Sequence, residues 1–254
     1  MGKIYVTSDI HGHYQKYKKI FDALPLREED TLFVLGDVVD RGPEPMHILL
    51  DMMERPNVFP LLGNHEMMAL TCLKLLCREI TEDALEHLAP EELQGLLDWL
   101  ADGGRATLDD FTALSPEQRQ AVMEYFEEFS LYEELTVEGK EYLLVHAGLG
   151  NFSPEKKLTE YALEDLLLDW PDYDKVYFPG KYLVTGHTPT RLIPQNQGKD
   201  RIYQGNHHIA IDCGCAYDGP LGVFCPVSYT HLDVYKRQDE FLSQRPDHES
   251  ISRE

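Results

Sequence analysis

Five short polar turns, each directly after an apolar stretch, carry the side chains of this sequence that could do chemistry. The turns SDIHG, GDVVDRG, GNHE, HAG and GHT follow KIYVT, TLFVL, NVFPLL, EYLLV and KYLVT. They supply six oxygen and nitrogen donors and no thiolate: Asp9, His11, Asp37, Asn64, His146 and His187. This donor set suits a pair of divalent transition ions, because a carboxylate such as that of Asp37 has two oxygens with which to bridge them.

A pair of such ions predicts phosphoryl chemistry. Two ions about 3.5 to 4 Å apart can bind both oxygens of a phosphoryl group and lower the pKa of a bridging water towards about 7. Any one of these residues alone is more often structural, since a single His at a strand end is usually hydrogen-bonded and an Asp in a turn is usually a turn residue. Five such turns favour an assembled site, and the sequence predicts a phosphoester hydrolase.

The elements that position these turns are those of an α/β domain. Buried strands alternate early in the chain with helical stretches at residues 14–24 and 45–53,. In such domains sites form beyond the carboxyl ends of the strands, and all five turns fall there. LYEELTVEGKEYLLV predicts a hairpin that turns at residues 138–140,.

A helical insert is predicted between the third and fourth strands, over residues 79–130. PEELQGLLDWL forms a helix that ends at Gly103 and Gly104,. A later helix begins with Ser115 as its N-cap and Gln118 completing a capping box,. Its apolar side chains at helical spacing are expected in the core: Val122, Tyr125, Phe126 and Phe129,.

Composition and charge exclude some classes of function. The net charge of -22 over 254 residues argues against a nucleic-acid partner,. Residues 79–135 hold 16 acidic and 2 basic residues, a net -14, which we interpret as a solvated helical face rather than a surface for basic substrates,. No apolar run reaches the roughly 20 residues of a membrane helix, and MGKIYVTSD predicts a strand and no signal sequence. We therefore expect a cytoplasmic chain with no membrane partner.

The cysteines fit the same expectation. Five of them, an odd number without zinc-type pair spacing, are typical of a reducing compartment,. Cys213 and Cys215 in IDCGC could be metal or redox ligands, but packed and reduced thiols are the commoner outcome at a strand end.

Taken in order, D-x-H-G, G-D-x-x-D-R-G, G-N-H-E, H-A-G and G-H-T resemble the motifs of the calcineurin-like metallophosphoesterases,. The resemblance is to the serine/threonine phosphoprotein phosphatase branch with its bacterial and phage members, and it spans residues 3 to about 225 of a catalytic domain expected over residues 1–225. It implies an α/β fold of two packed mixed β-sheets flanked by helices, a four-layer sandwich. It also implies an enzyme with two divalent metal ions, manganese first and iron, zinc or nickel as alternatives.

The resemblance assigns roles to the turn residues. It implies that one ion is held by Asp9, His11 and Asp37, and the other by Asp37, Asn64, His146 and His187. His65 looks like the general acid that protonates the leaving oxygen, Asp40 like its orienting partner and Arg41 like the phosphate clamp. Physical chemistry agrees, because a carboxylate beside His65 would fix its tautomer and raise its pKa, and a guanidinium offers phosphate a two-pronged donor.

The chain departs from the phosphatase pattern at two positions. Leu62 stands where many members carry Arg directly before G-N-H-E, and Trp170 lies in a segment that tends to hold a second phosphate-binding arginine. Arg105 or Arg191 could replace it, although both could equally be surface residues. Asp40 favours the phosphoprotein branch, because the related diadenosine tetraphosphate hydrolases usually have Asn there. The G-P of RGP and the Leu before G-N-H resemble those hydrolases instead.

Three classes of function stay open at this point. The preferred one is a phosphatase acting on phosphoserine or phosphothreonine in proteins, and the alternative is a nucleotide polyphosphate hydrolase, so the substrate is a phosphoprotein or a small phosphoester. A metal-binding scaffold without turnover is disfavoured, because the three residues that serve catalysis are all present: His65, Asp40 and Arg41.

Residues 226–238, PVSYTHLDVYKRQ, interrupt the expected end of the domain after the strand-like LGVFC. VSYTHLDVYKRQ back-translates to a DNA word joined to its own reverse complement, and that word resembles a transposon end used as a sequencing-library adapter. The segment is therefore predicted to be foreign to the natural protein, which gives no catalytic role to His231 or Asp233. A strand could still form there by pairing with an open sheet edge. Residues 239–254 form a polar tail.

Overall fold

The structure is a computed structural model that describes residues 2–24, 26–77, 89–226 and, for the backbone alone, 230–233. The described chain forms two five-stranded sheets. The first holds β1 (Ile4–Thr7), β2 (Thr31–Val34), β3 (Val58–Pro60), β9 (Gly222–Cys225) and β10 (Thr230–Asp233), in the order β10-β9-β1-β2-β3. The second holds β4 (Tyr132–Val137), β5 (Lys140–Val145), β6 (Lys181–Thr185), β7 (Tyr203–Gly205) and β8 (His208–Ala210), in the order β4-β5-β6-β8-β7.

Helices cover the outer sides of the sheets. They are α1 (Tyr14–Ala23), α2 (Pro45–Met53), α3 (Asn64–Cys77), α4 (Pro90–Trp99), α5 (Arg105–Ala113), α6 (Pro116–Glu127) and α7 (Leu163–Leu167). A π-helical turn (Leu100–Gly104) joins α4 to α5, and single 3₁₀ turns occupy Leu158–Glu160, Thr190–Leu192, Pro194–Asn196 and Cys215–Tyr217. No helix of the described ranges is long and apolar enough to cross a membrane.

The two sheets pack face to face through a buried apolar layer. Val6 and Phe224 of the first sheet lie in one cluster with Tyr142, Val184 and Ile209 of the second. The other face of the first sheet packs on α1 to α6, and the outer face of the second packs on the segment that contains α7. The predicted fold of two mixed sheets flanked by helices is therefore confirmed, as is the core position of the apolar side chains of α6.

The strand directions bring the five polar turns to one edge. In the first sheet β1, β2 and β3 run parallel, and in the second β5, β6 and β8 do. Each motif follows one of these parallel strands, so all five lie at carboxyl ends. The predicted hairpin is present as β4 and β5, which pair antiparallel around residues 138–139.

The helical insert breaks at its glycines, as predicted. The helix from PEELQGLLDWL runs through Trp99 into the π-helical turn, and its path is broken at Gly103 before α5 begins at Arg105. Gly103 has a φ of 105°, which interrupts the helical path for one residue. Gly104 lies so close to the Trp99 ring that a Cβ would be 2.4 Å from its Cε2, so this packing requires glycine. The capping box at Ser115 and Gln118 is formed as predicted.

Several predictions fall partly outside the described residues. The first part of the insert, residues 79–88, and the polar tail, residues 239–254, lie there. Of the segment predicted to be foreign, residues 227–229 and 234–238 also lie outside, while Thr230–Asp233 form β10 and pair antiparallel with β9 at the open edge of the first sheet. Cys213 and Cys215 are buried, reduced thiols, as predicted.

Candidate metal centre and acid pair

The turns that carry the predicted site residues have unusual backbone. Six of these residues have φ between 46° and 67°, in the left-handed region: Asp9, His11, Asp37, Asp40, Arg41 and His187. Side chains other than Gly, Asn and Asp rarely adopt this conformation, and it costs free energy unless the surroundings enforce it. Backbone hydrogen bonds between the turns support it here, from the N–H of His11 to the carbonyl of Asp37 at 2.9 Å and from that of Gly12 to the carbonyl of Val38 at 2.8 Å.

Glu66, the last residue of G-N-H-E, holds two of the turns together. Its buried carboxylate accepts four backbone N–H hydrogen bonds, from Gly63 at 2.9 Å, Asp37 at 2.7 Å, Val38 at 2.7 Å and Val39 at 3.2 Å. Burial and the charge of Asp37 raise the pKa of Glu66 to about 7, and the backbone donors act against that rise. Glu66 therefore fixes the backbone of GDVVD relative to α3, although sequence reasoning gave it no role.

The histidines of the centre present lone pairs to its middle. His11 Nδ1 lies 3.0 Å from the carbonyl of Val39, and His146 Nδ1 lies 2.6 Å from the carbonyl of Leu35. Because a carbonyl can only accept, both Nδ1 atoms carry the proton and both Nε2 atoms are acceptors. Hydrogen bonds of this kind are typical of histidines that bind metal through the other nitrogen.

Acceptor atoms converge around Asp37. Its Oδ2 lies 3.5 Å from His11 Nε2 and its Oδ1 lies 3.4 Å from His146 Nε2. His146 Nε2 is also 3.0 Å from Oδ1 of Asn64. Two groups of three side chains each offer ligand atoms within 4.8 Å of one another, and both contain Asp37: His11, Asp37 and His65, and Asp37, His146 and His187.

Asp9 and His187 join the centre across the two sheets. Both carboxylate oxygens of Asp9 accept from the backbone N–H of His187, at 3.1 and 3.0 Å. Burial and the charges of Asp212 and Asp37 raise the pKa of Asp9 well above its ordinary value. Asp212, which sequence reasoning missed, is itself buried, and burial with the charge of Asp37 raises its pKa to about 7. Three carboxyl groups are thus crowded into one buried region.

The ionisation of the centre suits a divalent cation. Burial lowers the pKa of His11 to about 3, and burial with the neighbouring His146 lowers that of His187 to about 4, so both imidazoles are neutral and able to bind metal,. Burial opposes ionisation of Asp37, but the histidines around it outweigh that effect and lower its pKa. Crowded carboxylates and converging acceptors need a positive charge between them, and the donor set therefore fits two metal ions.

His65 approaches the same oxygen of Asp37 as His11 does, with Nε2 4.0 Å from Oδ2, and it also contacts Asp40. Its Nδ1 is 2.7 Å from Oδ2 of Asp40, and both side chains are buried. Burial alone would lower the pKa of His65, but the charge of Asp37 and the hydrogen bond to Asp40 outweigh it, so the pKa is raised. This is the arrangement that a general acid needs near neutral pH.

The insert supplies the remaining partners of Asp40. Trp99 Nε1 donates to Oδ2 of Asp40 at 2.9 Å, and the hydroxyl of Thr107 donates to Oδ1 at 2.5 Å. The Thr107 hydroxyl also accepts from the backbone N–H of Asp40 at 2.9 Å. Sequence reasoning missed both residues, since Trp99 and Thr107 have the appearance of ordinary helix residues and only their contacts reveal the role.

Arg41 spans the centre and the acid. Its Nη1 donates to Nε2 of His11 at 3.0 Å and its Nη2 donates to Nε2 of His65 at 2.9 Å. Nη2 also donates to Oδ1 of Asp102, on the π-helical turn, at 3.1 Å. The guanidinium lies 5.5 Å from the centre of the Tyr217 ring. A phosphate bound between the metal ions and His65 would meet these donors.

The candidates for a second phosphate-binding arginine are placed differently. Arg105 is exposed and paired with Asp109 at 2.8 Å. Arg191 donates to Asp200 at 2.6 Å and to the carbonyl of Tyr217 at 3.3 Å, so it contacts the loop that faces Arg41. Leu62 packs against the core and Trp170 is 59% exposed.

Comparison with known proteins supports the resemblance. The calcineurin-like phosphoesterase family matches residues 2–224. A symmetrical bis(5'-nucleosyl)-tetraphosphatase of Delftia acidovorans is 27% identical over 207 residues, which are 78% of this chain and 62% of that protein. Two curated relatives of this name are matched over only 36% and 62% of their own length.

Solved structures share the fold. A protein proposed to be a diadenosine tetraphosphatase superimposes with a TM-score of 0.59 at 17% identity, covering 91% of this chain and 92% of that one. A serine/threonine phosphatase from Saccharomyces cerevisiae gives 0.55 at 16% identity, covering 89% and 73%. With the family match over nearly the whole described chain, the conclusion is direct: this chain belongs to the calcineurin-like phosphoesterase family.

Proposed function

We propose that this chain hydrolyses phosphomonoesters, with phosphoserine and phosphothreonine in proteins as the substrate class. The observation that carries the proposal is the buried pair of His65 and Asp40, 2.7 Å apart and next to Asp37. A family member needs only a metal centre to bind phosphate, whereas an oriented acid serves a leaving group that must be protonated.

The metal ligands we propose are the six turn residues of the predicted set. One ion is assigned to Asp9, His11 and Asp37, and the other to Asp37, Asn64, His146 and His187. Ions of manganese, or alternatively iron, zinc or nickel, fit these donors. Such ions, when bound, withdraw charge from a phosphoryl group and lower the pKa of water.

The protein side chains then have separate tasks. Arg41 exchanges the imidazole nitrogens that it contacts now for phosphate oxygens, which neutralises charge on the phosphoryl group,. That exchange frees Nε2 of His65, which can then carry a proton towards the leaving oxygen while Nδ1 donates to Asp40. Trp99 and Thr107 hold Asp40 in place through its two oxygens.

The basicity of the leaving group favours the phosphomonoester. A serine or threonine alkoxide is strongly basic and leaves only as it receives a proton, so an oriented acid lowers its barrier substantially. A nucleoside diphosphate is a weakly basic leaving group that gains little from such an acid. His65 and Asp40 are buried, and the buried side chains of Trp99 and Thr107 hold Asp40 in place. An acid that is held in this way supports an alcohol as the product.

The second candidate is hydrolysis of dinucleoside tetraphosphates. It is favoured by the name of the relatives reported above and by Leu62 before G-N-H, the feature in which the sequence resembles the diadenosine tetraphosphate hydrolases. Neither Leu62 nor Trp170 offers a phosphate the charge of an arginine, so we expect weak binding of a phosphomonoester, seen as a raised KM.

Parallel assays separate the two candidates. A phosphoserine peptide and diadenosine tetraphosphate are offered to the Mn²⁺-loaded chain, and kcat/KM is measured for both. The proposal predicts a larger value for the phosphopeptide. A large preference for diadenosine tetraphosphate would establish the second candidate instead, and turnover of neither substrate would contradict both.

A further inference from the structure

We propose that Asp102 makes the site select against leaving groups that carry negative charge. The inference deepens the proposed function and rests on it, since it concerns the leaving-group side of the same site. Asp102 Oδ2 lies 3.5 Å from Nε2 of His65, and its Oδ1 accepts from Nη2 of Arg41 at 3.1 Å. The carboxylate thus contacts both the acid and the phosphate clamp.

The position of Asp102 is fixed by the residues on either side of it. The carbonyl of Gly103 accepts from the backbone N–H of Arg41 at 3.0 Å. A Cβ on Gly103 would be 2.7 Å from Cγ of Arg41, so only glycine permits this approach at its φ of 105°. Trp99 and Thr107 anchor the two ends of the turn on Asp40. These contacts hold the backbone of the turn, and the hydrogen bond from Arg41 holds the carboxylate itself.

We place Asp102 on the leaving-group side of the site because it lies next to Nε2 of His65, although it also pairs with Arg41. His65 Nε2 is the atom assigned to protonate the leaving oxygen, and Asp102 is the nearest carboxylate beyond it that is half exposed, at 50% for its side chain. Asp37 and Asp40, the other carboxylates near His65, are buried. A carboxylate in this position acts electrostatically on whatever occupies the adjacent cleft.

The charge has a different effect on the two substrate classes. The alcohol that leaves from phosphoserine is neutral. The peptide beside it has N–H groups from which a carboxylate can accept hydrogen bonds. A nucleoside diphosphate is a polyanion. Repulsion between unit charges some 6 Å apart weakens binding by about threefold in bulk water and by about 100-fold at the effective dielectric constant near a protein surface, so about tenfold is expected in a partly solvated cleft. Asp102 is therefore a specificity determinant that favours neutral leaving groups.

Binding of two phosphonates tests this without requiring turnover. Phenylphosphonate and 4-carboxyphenylphosphonate have a P–C bond that hydrolysis does not break, and they differ by one negative charge on the leaving-group side. Their Kd values for the Mn²⁺-loaded chain are measured by calorimetry in the wild type, in Asp102→Asn and in the control Asp98→Asn. Asp98 is an exposed residue of α4 whose side chain accepts from Gln94, so its replacement removes the same charge elsewhere.

The expected result is a difference between ligands. The wild type and Asp98→Asn bind the carboxylated ligand about tenfold more weakly, Asp102→Asn brings the two Kd values within about twofold, and the wild-type difference shrinks in high salt. An equal change of both ligands in Asp102→Asn would overturn the proposal, because it would mean that Asp102 only positions Arg41. Equal affinities in the wild type would overturn it as well. Failure of the phosphopeptide assay would contradict the proposed function alone, since these binding ratios do not depend on turnover.

Discussion

The candidate site has two halves that are built in different ways. The metal half consists of the six predicted ligands, Asp9, His11, Asp37, Asn64, His146 and His187, and comes from strand ends of both sheets. The acid half consists of His65, Asp40 and Arg41 together with Trp99, Asp102 and Thr107 of the helical insert. Under the proposed function, phosphate activation depends on residues from both sheets, whereas proton delivery depends on contacts from one inserted segment. Changes in the two halves should therefore have separable effects.

Removing the shared carboxylate of the metal half should have the largest effect. In Asp37→Asn we expect fewer than two ions per chain and a loss of kcat/KM of at least about 10³, because both ions lose a ligand and with it their stabilisation of the transition state. Metal content by mass spectrometry and phosphate release are measured together. Asp22→Asn, an exposed change on α1, serves as the control. Full activity with unaltered metal content would refute the assignment of Asp37.

The acid half should respond to the leaving group. His65→Asn should lower turnover of alkyl phosphates by about 10² to 10⁴ and that of aryl phosphates by much less, with metal content spared. The control His47→Asn replaces an exposed histidine of α2. Equal losses on both substrates, accompanied by loss of metal, would place His65 among the metal ligands and merge the two halves.

The insert should act on turnover through Asp40. Trp99→Phe keeps the ring in the core but removes its N–H donor to Oδ2 of Asp40, so we expect turnover of alkyl phosphates to fall by about tenfold and aryl phosphates to be nearly unaffected,. The same substitution at Trp170, which is exposed, is the matched control. If the loss were the same for both classes of substrate, Trp99 would have only a packing role.

The sequence indicated the metal half more fully than the acid half. The turns at Asp9 and His146 follow apolar strands directly, so their types and positions could be predicted from pattern alone. Asp40 and His65 were named through the family resemblance, but their supports could not be. Trp99 and Thr107 lie 59 and 67 residues from Asp40, and pattern at helical spacing does not reveal contacts over such separations.

The glycines of the insert show a second reason. A Gly pair after an apolar helix predicts an end, because glycine ends helices often. The helical path does break at Gly103, but the pair also allows close contact that the pattern does not show, Gly103 with Arg41 and Gly104 with Trp99. That use of glycine depends on the tertiary neighbour and not on the local sequence. The four backbone donors to Glu66 are hidden for the same reason, although the residue lies within a recognised motif.

The smallest effect is expected at the amino ends of the strands of the first sheet, at Asp30. This region belongs to neither half of the candidate site. Asp30 accepts from the side chain and backbone of Arg27 and from the backbone of Lys3, and these bonds lower its pKa. Because the folded pKa lies below the unfolded one of about 3.9, the stabilisation is present at neutral pH and is lost as pH falls below about 4. Asp30→Asn should lower the Tm by about 2 to 4 °C at pH 7, by less at pH 3, and leave kcat/KM unchanged. An equal Tm loss at both pH values would show that ionisation of Asp30 contributes nothing.

The most direct test of the account is an add-back of Mn²⁺ to the metal-free chain. Bound metal per chain and phosphate release from a phosphoserine peptide are followed in the same titration. The account predicts no release from the metal-free chain, and release that rises to its maximum as two ions bind per chain. Undiminished release without metal, or saturation at one ion or none, would contradict a two-metal centre built on Asp37.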